Sequence, residues 1–382
     1  MLDYIFTNYL NNYKINPSQI GIVLRSHAGG YLVHRPFADK TILCQAKARI
    51  KKESLNILTG DIVSIEEFDE NLSNQSHKGI ITEVYPRMSL LKRPAIANVN
   101  QVVLVKSLQN PTPNLNLLDK LLLHFELSLD SVDPIICFNK ADLASIDTLE
   151  LVKNVYMKLN YKLCFVSALT GYGIDSLLGL LENKITVFAG PSGVGKSSLL
   201  NVINPHLSIA TASELSQYGR HTTTATQLYE VKVKPDSYLW IADTPGFNLE
   251  ELDCPKPNLI APYFNEIYRY ADLCKYNDCL HLNENGCHVI ENLDKIHKSR
   301  YKSYQELVLT AKEKYNASKV ISSKSENAVK TLLGKKNKIT KIPKIKKIQR
   351  FNSKSQTRQK AKTSYLFDLS ENHLNTDEDS KL

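Results

Sequence analysis

No run of eighteen or more apolar residues occurs in the 382 residues, so no segment is expected to cross a membrane as a helix. The N-terminus, MLDYIFTNYLNNYKINPSQ, lacks the charged-then-apolar pattern of a secretion signal and the arginine enrichment of a transit peptide. No internal repeat is apparent. Cysteine is sparse and odd in number, seven in all, in a chain long enough to bury a core without disulfide staples. Cys44, Cys137 and Cys164 sit in apolar, strand-like runs and read as small core residues. Cys254, Cys274, Cys279 and Cys287 fall close together. Such a cluster without a secretion signal points to metal rather than disulfides.

Charge is present but unevenly placed. Residues 319–362 hold fifteen Lys and Arg against Glu326 alone, and 363–382 hold five acids and one Lys. The rest, 1–318, carries 32 basic and 33 acidic residues, so the net +9 belongs to the tail. A tail of this kind would bind nucleic-acid phosphates without reading sequence, in a salt-sensitive way.

Four stretches differ in pattern. Residues 19–85 contain five short strand-like runs, QIGIVLRS, GGYLVHR, KTILCQAKARI, GDIVSIEEF and KGIITEVYPR, with Gly29-Gly30 and Gly60-Asp61 as turns. Five strands in this span suggest a small β-barrel, the OB-fold foremost. From about 98 to 250, apolar runs such as QVVLVKS, PIICFNKAD, KITVFAG and YLWIADTPG alternate with helical stretches. That is the pattern of a doubly wound α/β sheet, whose ligands bind beyond the carboxyl ends of the strands. A Cys/His segment and helical sequence follow. From about 317 the Lys/Ser/Asn-rich chain is expected to be largely disordered. The expected units are 1–88, 89–250, 251–316 (α-rich) and 317–382.

Residues Gly190–Ser197 fit G-x-x-x-x-G-K-[ST], between a strand and a helix. Gly190, Gly193 and Gly195 let the backbone curl around Pro191, Ser192 and Val194 so that N–H groups face phosphates. Lys196 is expected to reach the β and γ phosphates, and Ser197, followed by Ser198, to hold Mg²⁺. Asp243 of DTPG is the second expected Mg²⁺ contact, and Gly246 would offer its N–H to the γ-phosphate. Between them lies GRHTTTA, 219–225. Thr222, Thr223 and Thr224 are all available to close over Mg²⁺ and the γ-phosphate; Thr223 stands for the three.

FNKAD, 138–142, precedes this loop by about fifty residues. Asp142 can accept both N–H groups of the guanine edge, a donor pair that adenine lacks. Asn139 would bridge loops and Lys140 would lie along the base. Ser167-Ala168-Leu169 ends the next strand and could back the base with its N–H groups. An ordinary GTPase places the phosphate loop first. Read from 190 and wrapped to the N-terminal half, these motifs recover that order, opened between DTPG and NKAD. A doubly wound sheet tolerates such a cut because the site depends on where the strand ends lie. Residues 171–184 then bridge SAL to the phosphate-loop strand.

RPAIANVNQVVLV (93–105), NKADL, GPSGVGKSSLLN, GRHTTT, DTPGF and RYKSY (300–304), in this order, strongly resemble the circularly permuted family called ribosome small subunit-dependent GTPase A. The likeness runs from about residue 20 to 310. It implies an OB domain, a permuted GTPase and a C-terminal zinc domain. It also implies GTP hydrolysis stimulated by the small ribosomal subunit, in late maturation of that subunit. Phe247 occupies the place where Ras-type enzymes carry a water-orienting Gln, so intrinsic hydrolysis is expected to be slow. His221 is the candidate replacement, with Lys196 as the other catalytic candidate. Cys274, Cys279, His281 and Cys287 give C-x4-C-x-H-x5-C, a closed donor set for one structural Zn²⁺. His288 could compete for the imidazole position, and the family pattern favours His281.

The expected partners are the small subunit and its rRNA, with no membrane contact and a monomeric chain. The expected location is the cytoplasm, or the stroma of an organelle encoding its own copy. Two readings compete with this one: an RNA-binding module that holds GTP without catalysis, and a permuted GTPase of the large subunit.

Overall fold

The computed structural model describes residues 4–13, 16–27, 29–52, 56–68, 79–92, 94–129, 132, 134–159, 161–205, 226–234, 237–243, 256–325, 329–334 and 338–343. Helix α1 (Tyr4–Tyr13) opens the chain and buries Phe6 and Tyr9; the sequence reading contains no element here. Five strands follow: β1 (Ile20–His27), β2 (Gly30–Arg35), β3 (Lys40–Ala46), β4 (Ile62–Glu67) and β5 (Gly79–Val84). The short helix α2 (Ala48–Lys52) lies between β3 and β4. They pair in the order β1-β2-β3-β5-β4, and β4 returns to β1, with Gly21 opposite Val63. Pairing round the ring leaves the barrel without open edges, and this is the expected OB architecture. Alternation along the strands builds its interior. Val23, Val33, Ile42, Cys44, Val63 and Ile81 point inward, so Cys44 is a core residue as expected.

A two-stranded hairpin, β6 (Leu90–Lys92) and β7 (Ala95–Ala97), leads out of the barrel. Buried Asn98 then joins three parts of the chain. Its Oδ1 accepts from the Tyr9 hydroxyl at 2.9 Å and the Met88 N–H at 2.8 Å, and its Nδ2 donates to Gly60 O at 2.9 Å.

The central sheet comprises β8 (Gln101–Ser107), β9 (Pro134–Asn139), β10 (Lys162–Phe165), β11 (Ile185–Ala189), β12 (Gln227–Lys234) and β13 (Ser237–Asp243). Helices α3 (Leu115–Ser128), α4 (Ile146–Tyr156), α5 (Ile174–Leu181) and α6 (Lys196–Ile203) connect the strands. The order is β10-β9-β8-β11-β13-β12, parallel throughout except that β12 runs antiparallel to β13. Every residue of β8, β9 and β11 is buried. Alternate residues enter opposite cores: Val102, Leu104, Ile136 and Phe138 one, Val103, Val105, Ile135 and Cys137 the other. That is why these strands read as continuous apolar runs. The chain starts this sheet at β8, beside the centre, moves outward to β10, then returns through β11 and leaves toward β12. Barrel and sheet are joined, because β1 pairs with β12 at Arg25 and Gln227.

Beyond the sheet come α7 (Asn265–Ala271), α8 (His288–Glu291) and the long α9 (Lys298–Ser325). Ile260, Phe264, Ile267, Val289, Tyr304 and Val308 form a separate core, which Leu123 of α3 joins. The sequence predicts a largely disordered chain from about 317; within that stretch α9 runs on to Ser325, and β14 (Val329–Gly334) pairs antiparallel with β15 (Lys338–Pro343). Val, Leu, Thr and Ile interleave with the lysines in both segments, and that content supports strands despite the charge. Residues 344–382 lie outside the described residues. No described helix is long and apolar enough to cross a membrane.

Candidate nucleotide site and metal centre

The phosphate loop leaves the end of β11 and enters α6. Gly190, Gly193 and Gly195 adopt φ of 154°, 81° and 87°, conformations that an L side chain resists. At two of them space is also closed. A Cβ on Gly190 would stand 2.3 Å from Val105 O, and one on Gly195 would stand 2.5 Å from Asn139 Nδ2. The loop can therefore pass close to its neighbours in a curl whose positive-φ glycines suit the cradling of phosphates. Val194 and Gly190 are buried, Pro191, Ser197 and Ser198 half-buried, and Ser192 exposed. Lys196 Nζ donates to Gly190 O at 2.7 Å and to Pro191 O at 3.0 Å, folding back over the loop that it would share with phosphate.

The residues expected to read the base reach the same place from β9 and β10. Asn139 Nδ2 donates to Val194 O at 3.0 Å, and its Oδ1 accepts from the Ala168 N–H at 3.1 Å. One buried side chain thus connects phosphate loop, NKAD and SAL. Lys140, in the left-handed region at φ 61°, donates from Nζ to Gly193 O at 2.9 Å and to Asn110 O. Asp142 Oδ1 accepts from Ser167 Oγ at 2.5 Å, which aims the carboxylate. The Ser167 N–H donates to Tyr172 O at 2.9 Å. The amides of Ser167 and Ala168 are therefore engaged within the protein rather than directed outward.

Asp243 is the last residue of β13, opposite Gln227 of β12, so its backbone stands at a strand end neighbouring β11. Its side chain, together with His221, Thr222, Thr223, Thr224, Gly246 and Phe247, lies outside the described residues, as does Cys254.

Two features were not legible beforehand. Lys106 near the end of β8 is buried, and burial lowers its ammonium pKa to about 8; Asp119 pulls it up and Lys196 down. A lysine before a predicted loop reads as an ordinary solvated residue, so nothing in the sequence marks it. The Asn110 loop, which receives Lys140, is likewise unmarked.

The metal group is compact. Donor atoms of Cys274, Cys279, His281 and Cys287 all lie within 4.8 Å of one another. Cys274 Sγ is 3.5 Å from His281 Nδ1 and 3.8 Å from Cys287 Sγ, and Cys287 Sγ is 3.6 Å from the same nitrogen. Tetrahedral vertices around zinc with Zn–S bonds of about 2.3 Å stand about 3.8 Å apart, so the donors fit that ion. Burial pushes the Cys279 thiol up to about 12 and raises that of Cys287; thiolates here need a cation beside them. His288 points elsewhere, with Nδ1 3.0 Å from Glu291 Oε2.

RYKSY holds this group and ties it to the sheet. The Tyr301 hydroxyl donates to His281 O at 3.0 Å and that of Tyr304 to Leu280 O at 3.0 Å. Arg300, 2 % exposed, donates from Nη1 to Asp119 Oδ1 at 2.6 Å and from Nε to Glu266 Oε1 at 2.7 Å. Its guanidinium lies 4.3 Å from the Phe264 ring centroid.

Known proteins share this arrangement. The family profile described as RsgA GTPase matches residues 84–253. The Small ribosomal subunit biogenesis GTPase RsgA of Caldanaerobacter subterraneus subsp. tengcongensis is 38% identical over 299 residues, 77% of this chain and 96% of that protein. Its namesake in Moorella thermoacetica is 38% identical over 74% of this chain and 94% of its own length. Among solved structures, YjeQ from Thermotoga maritima matches with a TM-score of 0.64 and 32% identity, covering 77% of this chain and 98% of that one. YloQ, a circularly permuted GTPase, matches at 0.61 and 30%, covering 78% and 96%. With identity of this level across most of both chains, the chain belongs to the RsgA GTPase family.

Proposed function

We propose that the chain hydrolyses GTP when it meets the small ribosomal subunit, acts in late maturation of that subunit, and contacts its rRNA. The observation that carries the reading is Asn139, whose amide ties NKAD to the phosphate loop at 3.0 Å across 55 residues of chain. Motifs in reversed order thereby serve one ligand. The phosphates of GTP would lie in the curl of Gly190–Ser198, with Lys196 turning from its two carbonyls to the β and γ oxygens. Asp142, aimed by Ser167, would read the guanine edge. Ser197 and Asp243 would hold Mg²⁺, with a Thr of 222–224 and the Gly246 N–H closing the γ-phosphate side; the ion would offset the charge on the β and γ oxygens. His221 is assigned to orient the attacking water once a partner fixes its loop.

The test is GTP turnover by the full chain, alone and with purified small subunits. A low basal rate and a large stimulation are expected. His221→Ala should lower the stimulated rate about 10–100-fold, the cost of a mispositioned reactant, with GTP affinity unchanged. Stimulated turnover that survives the substitution removes the assignment. The barrel and the basic tail are assigned to rRNA. Added salt should therefore weaken subunit binding more steeply for the full chain than for one ending at 317; equal slopes would exclude the tail.

Cys274, Cys279, His281 and Cys287 would hold one Zn²⁺ whose role is structural, since all four positions are filled by protein. Metal content after dialysis should be one tightly held zinc per chain, falling to near none in Cys279→Ser, with loss of helix signal. A zinc-free chain of full helicity would contradict this. The working place would be wherever small subunits are assembled, in cytoplasm or organelle stroma.

A further inference from the structure

His34, Asp39 and Glu230 form another group of metal-capable side chains among the described residues. His34 lies on β2 and Asp39 in the turn before β3, both in the barrel; Glu230 lies on β12 of the central sheet. Their donor atoms all stand within 4.8 Å of one another. His34 is 4 % exposed, and its ring meets the buried Trp240 edge-on, with centroids 5.5 Å apart. Trp240 is the cross-strand partner of Glu230, so ring and carboxylate are set by the same pair of strands. Nδ1 of His34 is 3.3 Å from Thr41 Oγ1, while Nε2 faces Glu230 Oε2 at 3.6 Å.

That last spacing exceeds the 2.7–3.2 Å typical of an N–H···O bond by roughly 0.4 Å. It suits two ligands of one ion, because bonds of about 2.0–2.2 Å place tetrahedral vertices about 3.4 Å apart. In the tautomer whose Nδ1 proton is donated to Thr41 Oγ1, the Nε2 lone pair is turned toward the carboxylate. This is how a ligating imidazole is usually oriented. Burial favours the neutral ring against the pull of Asp39.

We propose that His34, Asp39 and Glu230 bind a second divalent ion of the zinc class, exchangeable and distinct from the cysteine site. One imidazole and two carboxylates with open positions suit zinc better than magnesium or calcium. The ion would clamp the barrel to β12. That strand is already held to the barrel, by the Arg25–Gln227 pairing and by the Thr59 hydroxyl donating to Thr226 O at 3.2 Å. β12 begins directly after the Thr run of 222–224 and pairs with the strand ending in Asp243. A clamp at Glu230 therefore acts between the two segments assigned to the γ-phosphate.

The test uses the full chain, nucleotide-free, with its tightly held zinc in place, titrated with Zn²⁺ by calorimetry. One further equivalent should bind, and saturation should raise the melting midpoint. Glu230→Gln and His34→Gln should each weaken this binding about tenfold or more and abolish the midpoint shift. Because His34 is buried, Asp39→Asn at the exposed turn serves as the variant least able to disturb folding, and it should weaken binding in the same direction. Absence of a further equivalent in the unaltered chain overturns the proposal. So does unchanged affinity in both Asp39→Asn and Glu230→Gln.

Discussion

Arg300→Ala is expected to destabilise the chain by about 3–5 kcal/mol, the cost of removing one partner from a buried ion pair. Arg300 is 2 % exposed and lies between Asp119 of α3 and Glu266 of α7. Its removal takes the shared cation from Asp119 and Glu266, and takes a planar group off Phe264. Asp119 would keep its bonds from the Tyr156 hydroxyl at 2.7 Å and from Ser303, two neutral donors in place of a cation for a buried charge. Arg300→Lys should recover little, because one ammonium cannot reproduce a fork that serves two carboxylates from different nitrogens. The next residues, Tyr301 and Tyr304, hold the carbonyls of the metal loop. The loss should therefore appear first as separation of the metal segment from α3. Denaturant unfolding followed by helix signal, with zinc retained, checks this. A change below about 1 kcal/mol would mean that the pair behaves as a surface ion pair.

The fold was legible where the residue pattern dictates it. Short strand-like runs separated by glycine turns marked the five barrel strands, and the continuous apolar runs of β8, β9 and β11 marked strands covered on both faces. Glycines at 190, 193 and 195 marked the phosphate loop: all three take positive φ, and at 190 and 195 Val105 and Asn139 leave no room for a side chain. The group Cys274, Cys279, His281 and Cys287 was legible from spacing and the family pattern; the structure brings these four together and turns His288 to Glu291. Helix α1 was not legible, since YIFTNYLNNY has neither caps nor charge pattern and is held by burial of Phe6 and Tyr9. The inward turn of Lys106 and the meeting of His34 with Glu230 depend on contacts made only in the folded chain. RYKSY could be recognised as a motif. Its physical task, joining metal loop to α3, required knowing where Asp119 lies.

Asp142→Asn tests most directly whether the reversed motifs make one guanine-nucleotide site. The carboxylate, aimed by its 2.5 Å bond from Ser167 Oγ, would accept from both donors of the guanine edge. An asparagine offers one acceptor and one donor, so the 2-amino group of guanine meets an N–H. Xanthine carries a carbonyl at that position and can accept from it. Sites built to hydrogen-bond a polar edge discriminate strongly against the wrong edge. The measurement is nucleotide affinity of the unaltered chain and Asp142→Asn for GTP and xanthosine triphosphate. The predicted result is a fall in GTP affinity of at least about 100-fold, with xanthosine triphosphate becoming the tighter ligand. Unchanged GTP affinity in Asp142→Asn would contradict the account, because NKAD would then lie outside the site that the phosphate loop serves.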